Sequence, residues 1–153
     1  MFEGKYLNDK KIKGKEYDFF GRTLFEGEYL YGHKRSGKEY ISGNLEYEGE
    51  YLFDKKWNGK GYDENGNIVY EIKDGEGHVK EYNYGIIYEG KYLNGIRNGK
   101  GKEFFMDELI FEGEYVNGMK NGKGKEFSGN ESTFEGEYVN GAKNGKGKEY
   151  YKN

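Results

Sequence analysis

The side chains in this sequence that could do chemistry are carboxylates, lysines and two histidines, and there is no cysteine. A thiolate nucleophile, a disulfide framework and a cysteine-ligated metal are therefore excluded. Carboxylates recur as pairs around a glycine: Glu26/Glu28, Glu48/Glu50, Glu112/Glu114 and Glu135/Glu137. Two carboxylates work as general acid and base only where their surroundings drive their pKa values apart. Repetition of one pair in one setting does the opposite. Between Phe111–Phe127 and Phe134–Tyr150, 15 of 17 positions are identical. Copying of this kind makes a periodic surface, whereas catalysis needs an asymmetric constellation, so no enzyme is expected.

The remaining chemical motifs read as turns. Gly118-Met119-Lys120-Asn121-Gly122-Lys123 is one residue short of a phosphate-binding loop and runs into Gly124 instead of Ser or Thr. It recurs at Gly95–Lys100 and Gly141–Lys146. Gly99-x-Gly101 lacks the third glycine of a dinucleotide fingerprint and any following helix. In Asp63-Glu64-Asn65-Gly66-Asn67 the glycine comes two positions too early for a calcium loop. His33 and His78 fall in different repeats with no evident base or metal partner, and surface or turn roles are expected for both. Asn130-Glu131-Ser132 is a glycosylation sequon. Because Met1-Phe2-Glu3-Gly4-Lys5-Tyr6 lacks the apolar stretch of a secretory signal, the sequon is expected to be unused and the protein cytoplasmic. No cofactor and no metal are expected.

Composition limits the elements that can carry these residues. Of 153 residues, 27 are Gly and none is Pro, while 18% are aromatic and the net charge is −3. Average glycine usage is roughly 7%. Leu, Ile, Val and Phe together make up fewer than one residue in five. A disordered chain would combine that scarcity with high net charge and few aromatics, and this one does not. It is expected to fold around rings in place of a thick aliphatic core. Runs such as Ile86-Ile87-Tyr88 are too short to span a bilayer. The balance of 25 basic against 28 acidic residues gives no general attraction to nucleic acid.

The sequence is a tandem repeat. Units open on an aromatic-Glu-Gly motif near positions 2, 25, 47, 88, 111 and 134, with a degenerate start at Tyr70, where Tyr70-Glu71-Ile72-Lys73 leads into Asp74-Gly75-Glu76-Gly77. Spacings are 22–23 residues except for the fourth unit, which is 18. The seven units fill residues 1–153 as one domain. In Phe111-Glu112-Gly113-Glu114-Tyr115-Val116, alternation puts Phe111, Gly113 and Tyr115 on one face and Glu112, Glu114 and Val116 on the other. Asn117-Gly118 and Asn121-Gly122 supply the positive φ of a hairpin turn, and Lys123–Phe127 reads as the return strand. Symmetric closure predicts the cross-strand pairs Glu114–Lys125 and Glu137–Lys148. Helix is disfavoured by glycine at about 1 kcal/mol each and by the lack of a 3.6-residue apolar stripe.

The run Tyr88-Glu89-Gly90-Lys91-Tyr92-Leu93-Asn94-Gly95-Ile96-Arg97-Asn98-Gly99-Lys100-Gly101 resembles the MORN repeat, which reads aromatic-x-Gly-x-aromatic-x-Asn-Gly, then basic residues, then Gly-x-Gly. The match is strongest at Tyr88–Phe104, Phe111–Phe127 and Phe134–Tyr150. It weakens at Phe2–Tyr17, where Asp9 and Lys10 replace the Asn-Gly turn, and is poorest at Tyr70–Tyr82. Return strands such as Lys38-Glu39-Tyr40 resemble variant units of bacterial proteins. The resemblance implies an all-β fold: an elongated, single-layer, twisted antiparallel sheet of consecutive β-hairpins. It also implies a non-enzymatic scaffold or adaptor that binds a protein partner and self-associates as a homodimer, beside membrane or cytoskeleton. Two other readings follow from it: a peripheral module for acidic phospholipids, and an immunity- or antitoxin-like binding protein. At ~4.8 Å per strand, seven units would extend about 65–70 Å, with a bend at the shortened fourth.

Two surfaces are candidate sites. The first is a basic ridge along the hairpin turns: Lys34, Arg35, Lys56, Arg97, Lys100, Lys120, Lys123, Lys143 and Lys146. It could meet an anionic membrane surface or an acidic partner, at ~1 kcal/mol per charge near lipid. The alternative is that these are solvated turn lysines paired with strand glutamates. The second is an aromatic groove formed by Phe25, Tyr29, Tyr47, Tyr51, Tyr88, Tyr92, Phe111, Tyr115, Phe134 and Tyr138. It is either open to a peptide or a second copy, or closed because its rings cover one another and the glycine floor.

Overall fold

A computed structural model describes residues 1–83, 85–129 and 131–151. Asn130 of the sequon lies outside them, as does Lys152, a residue that could blunt a terminal strand edge. The described residues contain no helix and fourteen strands. These are β1 (Phe2–Leu7), β2 (Lys10–Tyr17), β3 (Thr23–Leu30), β4 (His33–Ile41), β5 (Asn44–Leu52), β6 (Lys55–Tyr62), β7 (Ile68–Ile72), β8 (Gly77–Asn83), β9 (Ile86–Leu93), β10 (Ile96–Phe105), β11 (Glu108–Val116), β12 (Met119–Ser128), β13 (Glu131–Val139) and β14 (Ala142–Glu149). Each pairs antiparallel with its neighbours in chain order, as consecutive hairpins require, except that β7 and β8 do not pair with each other.

The single continuous sheet read from the repeat is instead two seven-stranded sheets, β1–β7 and β8–β14. The division has a packing cause. In the regular units two glycines stand opposite each other, as in Gly27↔Gly37, Gly113↔Gly124 and Gly136↔Gly147. Ile72 and Val79 hold those places in the fourth unit, each paired outward with a glycine, Gly59 and Gly90. Both are buried. Two β-branched side chains cannot share the close approach that a glycine pair permits, so β7 and β8 part. They remain joined by the turn, where Lys73 and Glu76 exchange both backbone hydrogen bonds at 2.9 Å. A backbone stitch also crosses the seam: Gly75 N–H donates to the Trp57 carbonyl and Gly95 N–H to the Gly75 carbonyl, both at 2.9 Å.

Two-residue turns with positive φ at both positions close the hairpins, for example Asn117 (51°) and Gly118 (87°). This turn makes Val116 face Met119 and Tyr115 face Lys120. The register then shifts before Gly113↔Gly124, because β12 carries extra residues around Gly122, whose φ is 91°. The bulge corrects the expected pairing: Glu112, not Glu114, lies opposite Lys125, and Glu135, not Glu137, opposite Lys148.

The core is a ladder of rings. Phe111 meets Tyr115 at 5.8 Å between centroids and Tyr138 of the next unit at 5.4 Å, both nearly perpendicular. Phe25 meets Tyr29 at 5.4 Å and Tyr51 at 5.6 Å in the same way. Edge-to-face contacts of this kind add ~0.5–1.5 kcal/mol each beyond the burial of the rings. Each opening ring except Tyr70 lies against a glycine pair. A Cβ placed on Gly124 would come within 2.7 Å of Phe111 Cζ and 3.0 Å of Tyr138 Cε2.

Candidate interaction surfaces

The ring face also carries charge, in an arrangement repeated from unit to unit. In the six units other than the fourth, the residue opposite the second ring is a cation, and it folds back over the opening ring, as Lys11 does over Phe2 at 4.7 Å. Lys34 lies over Phe25 at 4.5 Å, Lys56 over Tyr47 at 5.0 Å, Arg97 over Tyr88 at 4.2 Å, Lys120 over Phe111 at 3.8 Å and Lys143 over Phe134 at 4.1 Å. Such contacts contribute ~0.5–2 kcal/mol, more as the site loses water.

Each cation then meets a glutamate of a return strand. Lys34 pairs with Glu39 (3.2 Å), Lys120 with Glu103 (2.9 Å) and Lys143 with Glu126 (2.8 Å), while Arg97 bridges Glu81 (3.1 Å) and Glu103 (3.2 Å). Tyrosine hydroxyls complete the clusters: Tyr51 donates to Glu39, Tyr138 to Glu126 and Tyr92 to Glu81. Tyr29 and Tyr115 face Glu16 and Glu103 without a hydrogen bond of ordinary length. Burial raises the Glu39 and Glu126 pKa values, but the lysines overcome it and hold both carboxyls below the usual range. Burial pushes the tyrosines up.

Glu46 departs from this pattern. Other units carry Leu24, Val69, Ile87, Ile110 or Thr133 just before the opening ring. Glu46 is 3% exposed, bonded to Lys56 at 2.5 Å and to the Tyr70 hydroxyl at 2.9 Å. Burial raises its pKa in spite of both partners. A charged residue at an otherwise uncharged position was the sequence signal for it.

The predicted ridge therefore divides. Lys34, Lys56, Arg97, Lys120 and Lys143 lie on the ring face, occupied by rings and glutamates. Lys100 and Lys123 belong to the opposite face, where they pair in register with Glu114 and Glu137; Lys146 follows Gly145 on the next strand. Arg35 sits in the bulge between Lys34 and Ser36. The predicted groove residues line the ring ladder. All are buried by one another and by the backbone except Tyr92, which is partly buried and packs against the cluster. His33 pairs with Asp54 at 2.6 Å and His78 with Glu89 at 3.8 Å.

The outer face is a charge lattice. One row runs Glu3, Lys15, Glu26, Lys38, Glu48, Lys60, Glu71 across the first sheet. It resumes as Lys80, Glu89, Lys102, Glu112, Lys125, Glu135, Lys148 across the second. The signs alternate without a fault through all fourteen strands. Ion pairs along it include Lys15–Glu26 (3.2 Å) and Lys125–Glu135 (3.4 Å), each a few tenths of a kcal/mol in solvent. In the second sheet this face encloses a groove of about 760 Å³ lined by Lys100, Lys102, Glu112, Lys123, Glu137 and Lys146 among others, over Gly101, Gly113, Gly124 and Gly136. Among the described residues the side chains of Lys100, Lys102, Lys123 and Lys146 form no ion pair within 4 Å. No group of three or more His, Asp or Glu among them could hold a metal.

A family model described as the MORN repeat matches residues 88–108, 111–133 and 134–153. Residues 88–153 carry three MORN repeats, and the repeated hairpins of the whole chain are consistent with a MORN-repeat protein. The three matched repeats make up the second sheet from β9 onward, and β1–β6 repeat their hairpin geometry. MORN repeats are generally associated with protein- or membrane-binding scaffold roles, and the family is generally non-enzymatic. No curated protein matches the chain.

Proposed function

We propose that this repeat protein is a non-enzymatic scaffold that binds a protein partner along the outer face of its second sheet, and that it self-associates. One observation carries the reading: the groove over the glycine rows presents ordered lysines and glutamates that the fold does not consume. The ring face turns its cations onto its own core, whereas the outer face leaves Lys100, Lys123 and Lys146 available beside Glu114 and Glu137. Charge laid out at strand spacing gives a partner register and specificity more than raw affinity. The acidic-phospholipid reading is weaker, because five of the nine ridge cations are turned onto rings and Lys100, Lys123 and Lys146 each stand beside a glutamate.

Cross-linking and capture from the native cell extract test this with wild-type protein and the triple variant Lys100→Glu, Lys123→Glu, Lys146→Glu. The reading expects a discrete partner held by the wild type and lost by the variant, with no sedimentation on anionic vesicles at physiological salt. Identical capture by both proteins, or vesicle binding abolished by the variant, overturns it.

A further inference from the structure

Beside the continuous charge row runs a second row on the same face, two residues nearer the hairpin turns. In the second sheet it reads His78, Lys91, Lys100, Glu114, Lys123, Glu137, Lys146. From Lys100 onward the signs alternate, but at the β8 end His78, Lys91 and Lys100 follow one another with no carboxylate between them. The position is defined by the bulge that β10, β12 and β14 each carry. Gly99, Gly122 and Gly145 adopt φ of 91°, 91° and 90°, and after Gly145 the Lys146 amide faces outward, where it meets Glu137.

In two of these three bulges the protein supplies its own anion. The Glu114 carboxylate lies over Gly122, and the Glu137 carboxylate lies over Gly145 and accepts from Lys146 N–H at 3.3 Å. At the third bulge the corresponding residue is Lys91. Its aliphatic stem lies against Gly99, with Cδ 3.5 Å from a Cβ built there. Lys100 follows in the bulge, and His78 stands opposite Lys91 in the register. Lys91 and Lys100 make no ion pair within 4 Å among the described residues. His78 approaches Glu89 at 3.8 Å, and Glu114 is the register partner of Lys100. His78, Glu89 and Lys100 line the β8 end of the outer groove, next to Lys91 and Gly99.

We propose that the Gly99–Lys100 bulge is an anion-binding site, in which a carboxylate from a docking partner takes the place that Glu114 and Glu137 take in the next two repeats. Lys91 and Lys100 supply the charge, the bulge amide the directed donor, and His78 a third donor when protonated. The partner is thereby specified as a protein segment that brings an Asp or Glu side chain, or a chain terminus, to the seam end of the groove. This rests on the outer-face reading of function. A failure at Gly99 leaves the groove capture experiment standing, since that experiment depends on Lys123 and Lys146 as well.

The test is a titration of isotope-labelled protein with acetate, with a capped Gly-Glu-Gly peptide and with inorganic phosphate, following the amides of Gly99, Lys100, Gly122, Lys123, Gly145 and Lys146 by NMR. The expected result is a saturable shift at Gly99 and Lys100 with acetate and peptide, at least tenfold stronger than at the two bulges that hold their own glutamate. Lys91→Glu rebuilds the sequence of the neighbouring repeats and so should fold. It should abolish the response and move the Gly99 and Lys100 resonances toward those of Gly145 and Lys146. Equal responses at all three bulges, a response that survives Lys91→Glu, or saturation by phosphate alone each overturn the proposal.

Discussion

The pairing of ring and glycine is open to a double-mutant cycle at Phe111 and Gly124. In an unhindered strand Gly→Ala is favourable by about 0.5–1 kcal/mol. At Gly124 the added methyl would stand 2.7 Å from Phe111 Cζ, 2.8 Å from Phe111 Cε2 and 3.0 Å from Tyr138 Cε2, all ring atoms and none of them backbone. Overpacking of that kind costs ~1–3 kcal/mol, so Gly124→Ala should destabilise by about 1–2 kcal/mol once the backbone gain is subtracted. Phe111→Leu should cost about 1–2 kcal/mol for a ring that is 1% exposed. It also removes the two closest atoms, so in that background Gly124→Ala should cost close to nothing. The predicted coupling is about 1–2 kcal/mol, well above the ~0.3–0.5 kcal/mol within which independent sites add. Urea unfolding of the four proteins, compared at constant m, reads it out. Additive losses would refute the idea that the glycines are there for the rings.

Three further outcomes are expected. Glu39 and Glu126 have folded pKa values below the ordinary 4.5, so their stabilisation is complete above that value and is lost as pH falls through the lowered folded values. Glu46, shifted up, acts in the opposite sense above 4.5. Denaturation across pH 3–6 should therefore show an acid limb that Glu126→Gln flattens, while Glu46→Gln removes a loss of stability on raising pH from 4.5. Tyr31 and Phe53 occupy hairpin positions with φ of 55° and 49°, where the later repeats have Asn94, Asn117 and Asn140. Tyr31→Asn and Phe53→Asn should each raise stability by up to about 1 kcal/mol, seen as a higher Tm; unchanged or lower values would argue against strain there. Native-state hydrogen exchange should find β7 and β8 opening more readily than β11 and β12, and equal protection would contradict the break between the sheets.

Much of the architecture was legible because a hairpin needs only local signals. Aromatic-Glu-Gly starts fixed the strands, Asn-Gly fixed the turns, and period-two alternation set the ring face. Legibility failed where one residue changed the count. The extra residues at Gly122 and Gly145 moved Lys125 and Lys148 from Glu114 and Glu137 to Glu112 and Glu135. The inward cations were accessible, since a two-residue turn at Asn117-Gly118 already obliges Lys120 to share a face with Tyr115. Grouping lysines by proximity in sequence obscured that. The seam was written in Ile72 and Val79, which stand where paired glycines belong, but its consequence depends on a close backbone approach that strings of letters do not display. Glu46 needed the fold as well, because only its burial against Tyr70 and Lys56 separates it from a surface carboxylate.

The outer row also constrains how such a chain can lengthen. Its signs have a period of two strands, which is one hairpin. Adding or deleting a whole hairpin leaves each charge beside its opposite, whereas an odd number of strands would set two like charges side by side at the junction. Duplication in whole units is thus electrostatically silent, and the protein's length can drift over generations without any new surface having to be invented.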